Sequence, residues 1–417
     1  MRLGWIVLIL GIIWLNVPVL GQGTPAFFMG QGKTGEKPQA KVWYHNGFWW
    51  CLLPGTVEGE TGVRFYQLHD DTWHAVGQVI DTREDAQADV WVEGDDLFVV
   101  VFHAQETRFW AFHFEQQVGA YTPGDGFPVV LAPLPVGGVE TMSLRRDGKG
   151  RFWVGFEGEK QGAKRGDVWA VWSDDGLRWH LDGVRLGTHV DRDDIVTLCR
   201  FAIRGTGYIG AIWSQQAANK SGHRDSAGVG RLVMRVHQDG DHPTQWSPIE
   251  VIASGQAVAD DHLNTAVARD GSVYLVTKTS LDDLWPQVAQ VPLLMAYVRD
   301  IFGKWTGHPL SLSEERGTRP IVTLDDERGI LHVFYTRPSI HTRSERAIVH
   351  RWSDRTRIKF SEPDVAIGQA GLYLNDATST HQGMNQEEGL LVMCWGSDRK
   401  TETPNRAYFR VYQLESG

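Results

Sequence analysis

Apolar and polar residues alternate with period two over most of this chain, in short runs broken by turn residues. The stretch Asp260–Ser280, DDHLNTAVARDGSVYLVTKTS, shows the unit. Acids, a histidine and an amide open it, an alternating strand follows, DGS turns the chain, and VYLVT returns to a lysine. The same shape recurs in KVWYHNGFWWCLL at Lys41, ADVWVEGDDLFVVVF at Ala88 and MSLRRDGKGRFWVGF at Met142. It appears again in VTLCRFAIRGTGYIGAIW at Val196, PIVTLDDERGILHVFY at Pro320 and ATSTHQGMNQEEGLLVMCW at Ala377. These seven hairpins start roughly 48 to 65 residues apart, a repeat-type period. A second hairpin follows the first six, as in VWAVWSDDGLRWHLDG at Val168, and the last repeat ends on the strand AYFRVYQL. Four strands per repeat predict an all-β fold, a seven-bladed β-propeller of four-stranded antiparallel blades. A pair of β-sandwiches is the alternative, and the regular long period argues against it.

Composition agrees. Eighteen Trp, 46 Gly and only 22% charged residues suit a turn-rich β protein. A net charge of −10 excludes the basic field that a nucleic-acid partner needs. The start, MRLGWIVLILGIIWLNVPVLGQG, has a basic Arg2, an apolar run and the breakers Asn16 and Pro18. It reads as a secretory signal peptide over residues 1–21, with an uncleaved anchor as the alternative. Residues 22–38 form a lead-in and 39–417 a single propeller domain. After cleavage no stable membrane span remains, and the location is secreted, periplasmic or cell-surface. Cys51, Cys199 and Cys394 sit in strand-like apolar runs and read as buried free thiols. The pattern does not address oligomeric state.

In a propeller the start of each innermost strand and the end of the next converge on one face beside the central channel. The entering positions are Gln39 and Lys41, then Gln87 and Asp89, then Glu140, then Asp191, Asp193 and Asp194. Asp260, Asp261, His262 and Asn264 follow, then Arg316 and Arg319, and finally Asn375, Asp376, Thr378, Ser379 and His381. Exiting positions include His103, Glu157, Trp213, Gln215, Lys278, Arg337, Trp395 and Asp398. Such a mixed polar face with two indoles suits carbohydrate, whose hydroxyls pair with amides and carboxylates and whose rings stack on Trp. Lys278 ends a buried strand, so an acid such as Asp260 or Asp261 is its expected partner. The DRDD run at Asp191–Asp194 has oxygen donors suited to Ca²⁺ but matches no defined loop. It is expected to be a solvated acidic turn, with no cofactor.

One turn, SDDGLRW at Ser173–Trp179, places Asp174, Gly176 and Trp179 at the spacing of an Asp-box, with Trp172 where that motif usually carries Ser. The motif is structural. The stretches TGEKPQAKVWYHNGFWW, ADDHLNTAVARDGSVYLVTKTS, TRPIVTLDDERGILHVFYT and LNDATSTHQ together resemble a family of exported bacterial propellers of the sialidase-like, BNR-repeat type. That resemblance covers nearly the whole chain after the signal peptide and implies the fold and export. More distant relatives of this architecture include sialidases and polysaccharide lyases. The sialidase pattern of three arginines, a Tyr–Glu pair and an Asp is not met, since Arg316, Arg319 and Arg337 all lie in one blade.

Two function classes follow. In the first, the face binds and processes a glycan. Lyase chemistry would use His262 or His381 as base, with Lys278 and Arg319 stabilising the developing charge. Glycosidase chemistry would use Asp260 or Asp261 with Glu157. Substrate contacts would come from Asp260, Asp261, Asn264, Asn375, Asp376, Gln39, Lys41, Trp213 and Trp395. In the second class the propeller binds glycan or protein at the cell surface without catalysis. A redox or metal enzyme is a third and weaker class, because no recognisable ligand set is present.

Overall fold

The computed structural model describes residues 34–413 except 36, 104–105, 161–164, 192, 217–228, 339–344, 369, 385–386 and 399–404, together with the backbone of 25–28. The proposed signal peptide lies outside the described residues. The protein is all-β, with one helical turn at Leu281–Leu284 and a 3-10 turn at Ser313–Glu315 among those residues.

All seven predicted inner hairpins form. Their first strands are Val42–His45, Gln87–Glu93, Met142–Arg146, Val196–Ile203, Leu263–Val267, Thr318–Asp325 and Leu372–Thr378. Each pairs antiparallel with the strand after it. The first sheet (residues 42–81), third (142–190), fourth (196–255) and fifth (263–312) have four strands in chain order, and the second (87–130) has five. The remaining strands form an eight-stranded sheet. Its two halves meet at the parallel pair Arg346↔Tyr373 and at the isolated parallel bridge Asp325↔Met384. The later half is completed by the N-terminal strand Pro25–Phe28, which pairs with Arg406–Tyr412. The sequence pattern accounts for only three strands of that half, and the lead-in supplies the fourth.

The sheets stand side by side and bury both faces. In the strand Phe152–Gly158, Phe152, Val154 and Phe156 pack against Phe98, Val100 and Phe109 of the second sheet. Trp153, on the other face, packs with Val196, Leu198 and Ile209 of the fourth. Period-two alternation therefore sends successive side chains to opposite neighbours, and the strand reads as a continuous apolar run. The pattern repeats around the molecule. The fourth and fifth sheets share Leu232, Met234, Leu263 and Leu275, and the fifth and the eight-stranded sheet share Tyr274, Val276, Val322 and Val333. The eight-stranded sheet in turn packs Leu374, Leu391 and Phe409 against Val42, Trp49 and Trp73 of the first. The first and second share Trp43, Trp50, Val90 and Val99. Every sheet has a neighbour on each side, which is the radial packing of a β-propeller.

Side chains on the inner strands tie each sheet to the next. Asp89 accepts hydrogen bonds from the Ala40 and Leu144 amides, each at 2.8 Å. The Ser143 hydroxyl accepts from the Leu198 amide at 3.0 Å, and Asn264 Oδ1 from the Val322 amide at 3.0 Å. Innermost strands are sheet edges, and these bonds satisfy amides that water cannot reach. Cys51, Cys199 and Cys394 are buried and unpaired, and burial pushes each thiol up.

The turn at Ser173–Trp179 differs in detail from the expectation. Asp175, not Asp174, accepts the Leu177 and Arg178 amides at 2.9 and 2.8 Å. The Ser173 hydroxyl accepts from the Gly176 amide at 2.9 Å, so the serine two before the working aspartate is present. Gly176 takes φ 77°, and Trp179 closes the turn on its carbonyl. Asp174 points outward to Arg151.

In the eight-stranded sheet His332 Nδ1 lies 3.0 Å from His350 Nε2, the two rings stacked and nearly buried. Burial pushes His332 down to about 4 and His350 to about 3, from an ordinary 6.5, with their mutual repulsion and Arg328 and Arg410 adding to it and Asp325 opposing it. Between pH 6.5 and about 4 the unfolded chain thus binds more protons here, and stability falls as pH falls. The slope approaches about 1.4 kcal/mol per pH unit per titrating histidine. His350→Phe keeps the stack on Phe334 and should flatten this acid limb, while lowering the plateau by leaving His332 Nδ1 unpaired. Urea unfolding at several pH values between 4 and 7 checks this; an unchanged slope refutes it.

Candidate functional site

The chain enters the first sheet across the mouth of the central channel. Thr34, Gly35, Lys37 and Pro38 lead from the eight-stranded sheet toward the axis as a strap. The Thr34 hydroxyl donates to the Asp376 carbonyl and accepts from the Trp395 amide. A Cβ on Gly35 would lie 3.1 Å from the Asp376 side chain, so glycine permits this close approach. Lys37, at φ 47°, accepts a bond from Asn264 Nδ2 on its carbonyl at 2.8 Å. Its ammonium reaches Glu140 Oε1 at 3.0 Å and Asp261 Oδ2 at 2.6 Å.

From Asp261 a charged chain continues along the fifth sheet. His262 Nδ1 lies 2.5 Å from Asp261 Oδ1 and 2.6 Å from Asp260 Oδ1. Asp260 Oδ2 receives the Lys278 ammonium at 2.7 Å, the partnership expected from sequence, and the Ser280 hydroxyl at 3.0 Å. His262 Nε2 faces the Thr318 hydroxyl at 3.3 Å. Burial opposes charge on Asp260, but contacts with Asp261, Lys278 and His262 outweigh it and hold the carboxyl well below its usual range. Burial likewise opposes charge on Lys278, and Asp260 outweighs it, raising the amine. Alongside, Arg319 Nε binds Asp376 Oδ1 at 2.6 Å, with both residues at positive φ (55° and 53°). Such φ values are strained for these residue types and mark a backbone held by its surroundings. Asn375 and the Trp395 indole donate to the other Asp376 oxygen.

The structure therefore brings His262, Lys278, Arg319, Asp260, Asp261, Asn264, Asn375, Asp376 and Trp395 together in one polar network, in which Asp260, His262, Asn264, Asn375 and Asp376 are buried. Four other predicted residues lie elsewhere. Trp213 is 1% exposed in the core between the third and fourth sheets, with Gly187 close against its ring, so it has no face to offer a ligand. His381 lies deeper in the channel beside Arg145 (2.8 Å) and Asp89, because the pairing of strand Leu372–Thr378 shifts between Asn375 and Thr378 and carries the chain inward. There it lines a cavity of about 110 Å³ with Trp43, Val90 and Gln382. Gln39 and Lys41 are bonded to each other and buried beneath the strap. The DRDD turn is not solvated. Asp194 is fully buried, accepts the Asp191 and Gln216 amides, and is pushed by burial up to about 6.

Glu157 is also inaccessible. It is fully buried under the mouth and accepts the Glu140 amide at 3.0 Å and the Thr141 amide at 3.2 Å. Burial pushes it up to about 8 in spite of those bonds. It positions Glu140 and does not face a ligand.

One carboxylate oxygen from each of Glu140, Asp193 and Asp261 lies within 4.8 Å of the others, and Asp260, Asp261 and His262 form a second such group. The three carboxylates suit a hard cation, whereas the second group includes an imidazole nitrogen, which suits a transition metal. The Lys37 ammonium already neutralises two of the acids. Sequence reasoning missed Lys37 and also Trp285, which is 46% exposed on the connection from Lys278 to Pro292 above the same face. The length of that connection and its LDDLWPQV run are the signal that was available.

No known family model matches the sequence, and no curated protein does. Among solved structures, the polysaccharide lyase Uly1 aligns over 94% of this chain and 98% of its own, at 8% identity and a TM-score of 0.51. A protein of unknown function from Dyadobacter fermentans aligns over 78% of this chain and 94% of its own, at 12% identity and a TM-score of 0.50. At such identities the likeness is one of fold. The chain shares the overall fold of these two proteins.

Two outcomes follow. Glu157→Gln keeps the acceptor oxygen and removes the proton that the native state holds between pH 4.5 and about 8. In the wild type stability falls as pH rises through that window, because the unfolded chain has already released the proton. The variant should lose less stability between pH 6 and 9 than the wild type. Lys278→Met leaves Asp260 charged and buried, and should cost about 3 kcal/mol. Lys278→Met with Asp260→Asn should recover part of it in a double-mutant cycle, and simple additivity would show no coupling.

Proposed function

We propose that this chain is an exported seven-bladed propeller of the BNR type that binds carbohydrate on its channel face and hydrolyses it. Seven inner hairpins, each followed by outer strands and packed on a neighbour at either side, support the blade count. The apolar run after Arg2 supports export, and the buried free thiols agree with a chain that carries no structural disulfide. The Ser173–Asp175–Gly176–Trp179 turn supports the BNR assignment. A polysaccharide lyase of the same fold places carbohydrate chemistry within the fold's repertoire.

The observation that carries the reaction type is the convergence of three carboxylates at the mouth. Lys37, Lys278 and Arg319 are each bound to acids, so none of these three stands ready to neutralise a uronate carboxylate, while Arg316 at the entry to the sixth inner hairpin is exposed. β-Elimination needs such a cation, whereas hydrolysis needs carboxyl groups in different protonation states. Glu140, Asp193 and Asp261 enter at three consecutive sheets and bring their carboxyl groups together at the mouth.

Non-catalytic binding is the second reading, favoured by the strap that already satisfies the groups at the mouth. A panel of soluble neutral and acidic polysaccharides separates the readings. Hydrolysis predicts new reducing ends without ultraviolet-absorbing unsaturated uronates, and Asp261→Asn should lower that release at least a hundredfold. Unsaturated products would overturn hydrolysis in favour of elimination. Retention on a glycan without any product would select the binding reading, and neither retention nor product would reject the carbohydrate assignment.

A further inference from the structure

The strap fills the axis of the channel face, yet the same face holds an open cavity of about 200 Å³ to one side, between the second and third sheets. Its walls include Leu131, Leu134, Val136 and Val139, and His103 and Glu106 also line it. These residues belong to the ends of Asp96–His103 and Glu106–Glu115 that open on the mouth, and to the segment that carries the chain into Met142–Arg146. Val139 is followed directly by Glu140, whose carboxylate binds Lys37. The cavity therefore adjoins the acidic mouth, with Val139 in its wall and Glu140, the next residue, at the mouth.

Its chemistry is mixed. Aliphatic side chains offer a surface for C–H groups, and the imidazole and carboxylate offer partners for hydroxyls. Charge further restricts the occupant. His103 pairs with Asp85 at 3.1 Å, and Glu106 with Arg108 at 2.6 Å. Among the residues that line the cavity, His103 is engaged by Asp85 and Glu106 is the one carboxylate, and with Glu140 beside the opening the lining favours an uncharged ring over an anionic one. An uncharged sugar ring has an apolar C–H face and a polar hydroxyl edge, and it meets both requirements.

We infer that this lateral cavity is a subsite for one neutral sugar ring of a glycan whose next residue lies at the acidic mouth. This rests on the carbohydrate reading above and adds the class of sugar and the place of its ring. Gly137 gives a direct handle. It lines the cavity, a Cβ there meets nothing within 4 Å, and its backbone conformation does not require glycine. Gly137→Phe should place a ring in the space from a position where the new Cβ meets no neighbour. Val139→Trp fills it from another wall.

Saturation-transfer NMR on the full chain tests this, with methyl β-D-glucopyranoside, galactopyranoside and xylopyranoside as neutral probes and methyl β-D-glucuronide as the acidic one. Thermal melting confirms that each variant is folded. At least one neutral probe should receive saturation from the wild type, and both filled variants should reduce it at least tenfold. Equal saturation in the folded variants would overturn the subsite while leaving the carbohydrate reading intact. Saturation of the glucuronide alone would overturn the neutral class. Affinity electrophoresis in neutral polysaccharide gels separates the remaining cases. Retention in the gel with no probe saturated would overturn the subsite alone, and no response in either assay would overturn the subsite together with the reading on which it rests.

Discussion

A ring of sheets has one weak place, its inner edge. The first strand of each sheet faces the axis, and its outward amides have no further strand to pair with. The structure meets this with side chains that reach from one inner strand to the backbone of the next. Asp89 does so for Ala40 and Leu144, Ser143 for Leu198, and Asn264 for Val322. These bonds hold neighbouring inner strands in fixed relative height, and everything at the mouth depends on that height. Glu140, Asp193 and Asp261 come from three sheets and meet because their strands begin at one level. Asn264 shows the economy of the arrangement, since one amide accepts from the next sheet and donates to the strap.

Upstream of the strap, the strand Pro25–Phe28 pairs with Arg406–Tyr412 as the last strand of the eight-stranded sheet. The strap itself inserts an ammonium among acids that would otherwise repel one another. With Lys37 in place, the mouth is a compensated ionic network rather than an open funnel. That compensation shifts attention from the axis to the space beside it, where the chain leaves an opening next to Glu140.

The inner hairpins were legible because strands buried on both faces leave a local signal: uninterrupted apolar runs punctuated by Gly and Asp. The Lys278–Asp260 partnership was legible for a similar reason, since a charge ending a buried strand needs an acid close by. Trp213 could have been placed correctly from parity alone. It shares its side of the strand with Ile209 and Ala211, which are core residues. His381 could not, because the shift within Leu372–Thr378 has no mark in the alternation. Nor could Lys37, whose partners lie 103 and 224 residues away. Contacts of that range arise only when the ring closes, and no local pattern encodes them. The same holds for Glu157, which reads as one more acid at a strand end until burial shows it to be a support for Glu140.

Residue-resolved hydrogen exchange on the intact chain tests the inner-edge ties most directly. The amides of Leu144, Leu198 and Val322 should exchange only through global unfolding, as slowly as the paired amides at the centre of each sheet. If they instead exchanged as fast as amides of the outer strand Glu250–Gly255, the inner strands would not be held at a common level. The convergence of acids at the mouth, and the site built on it, would then have no physical support.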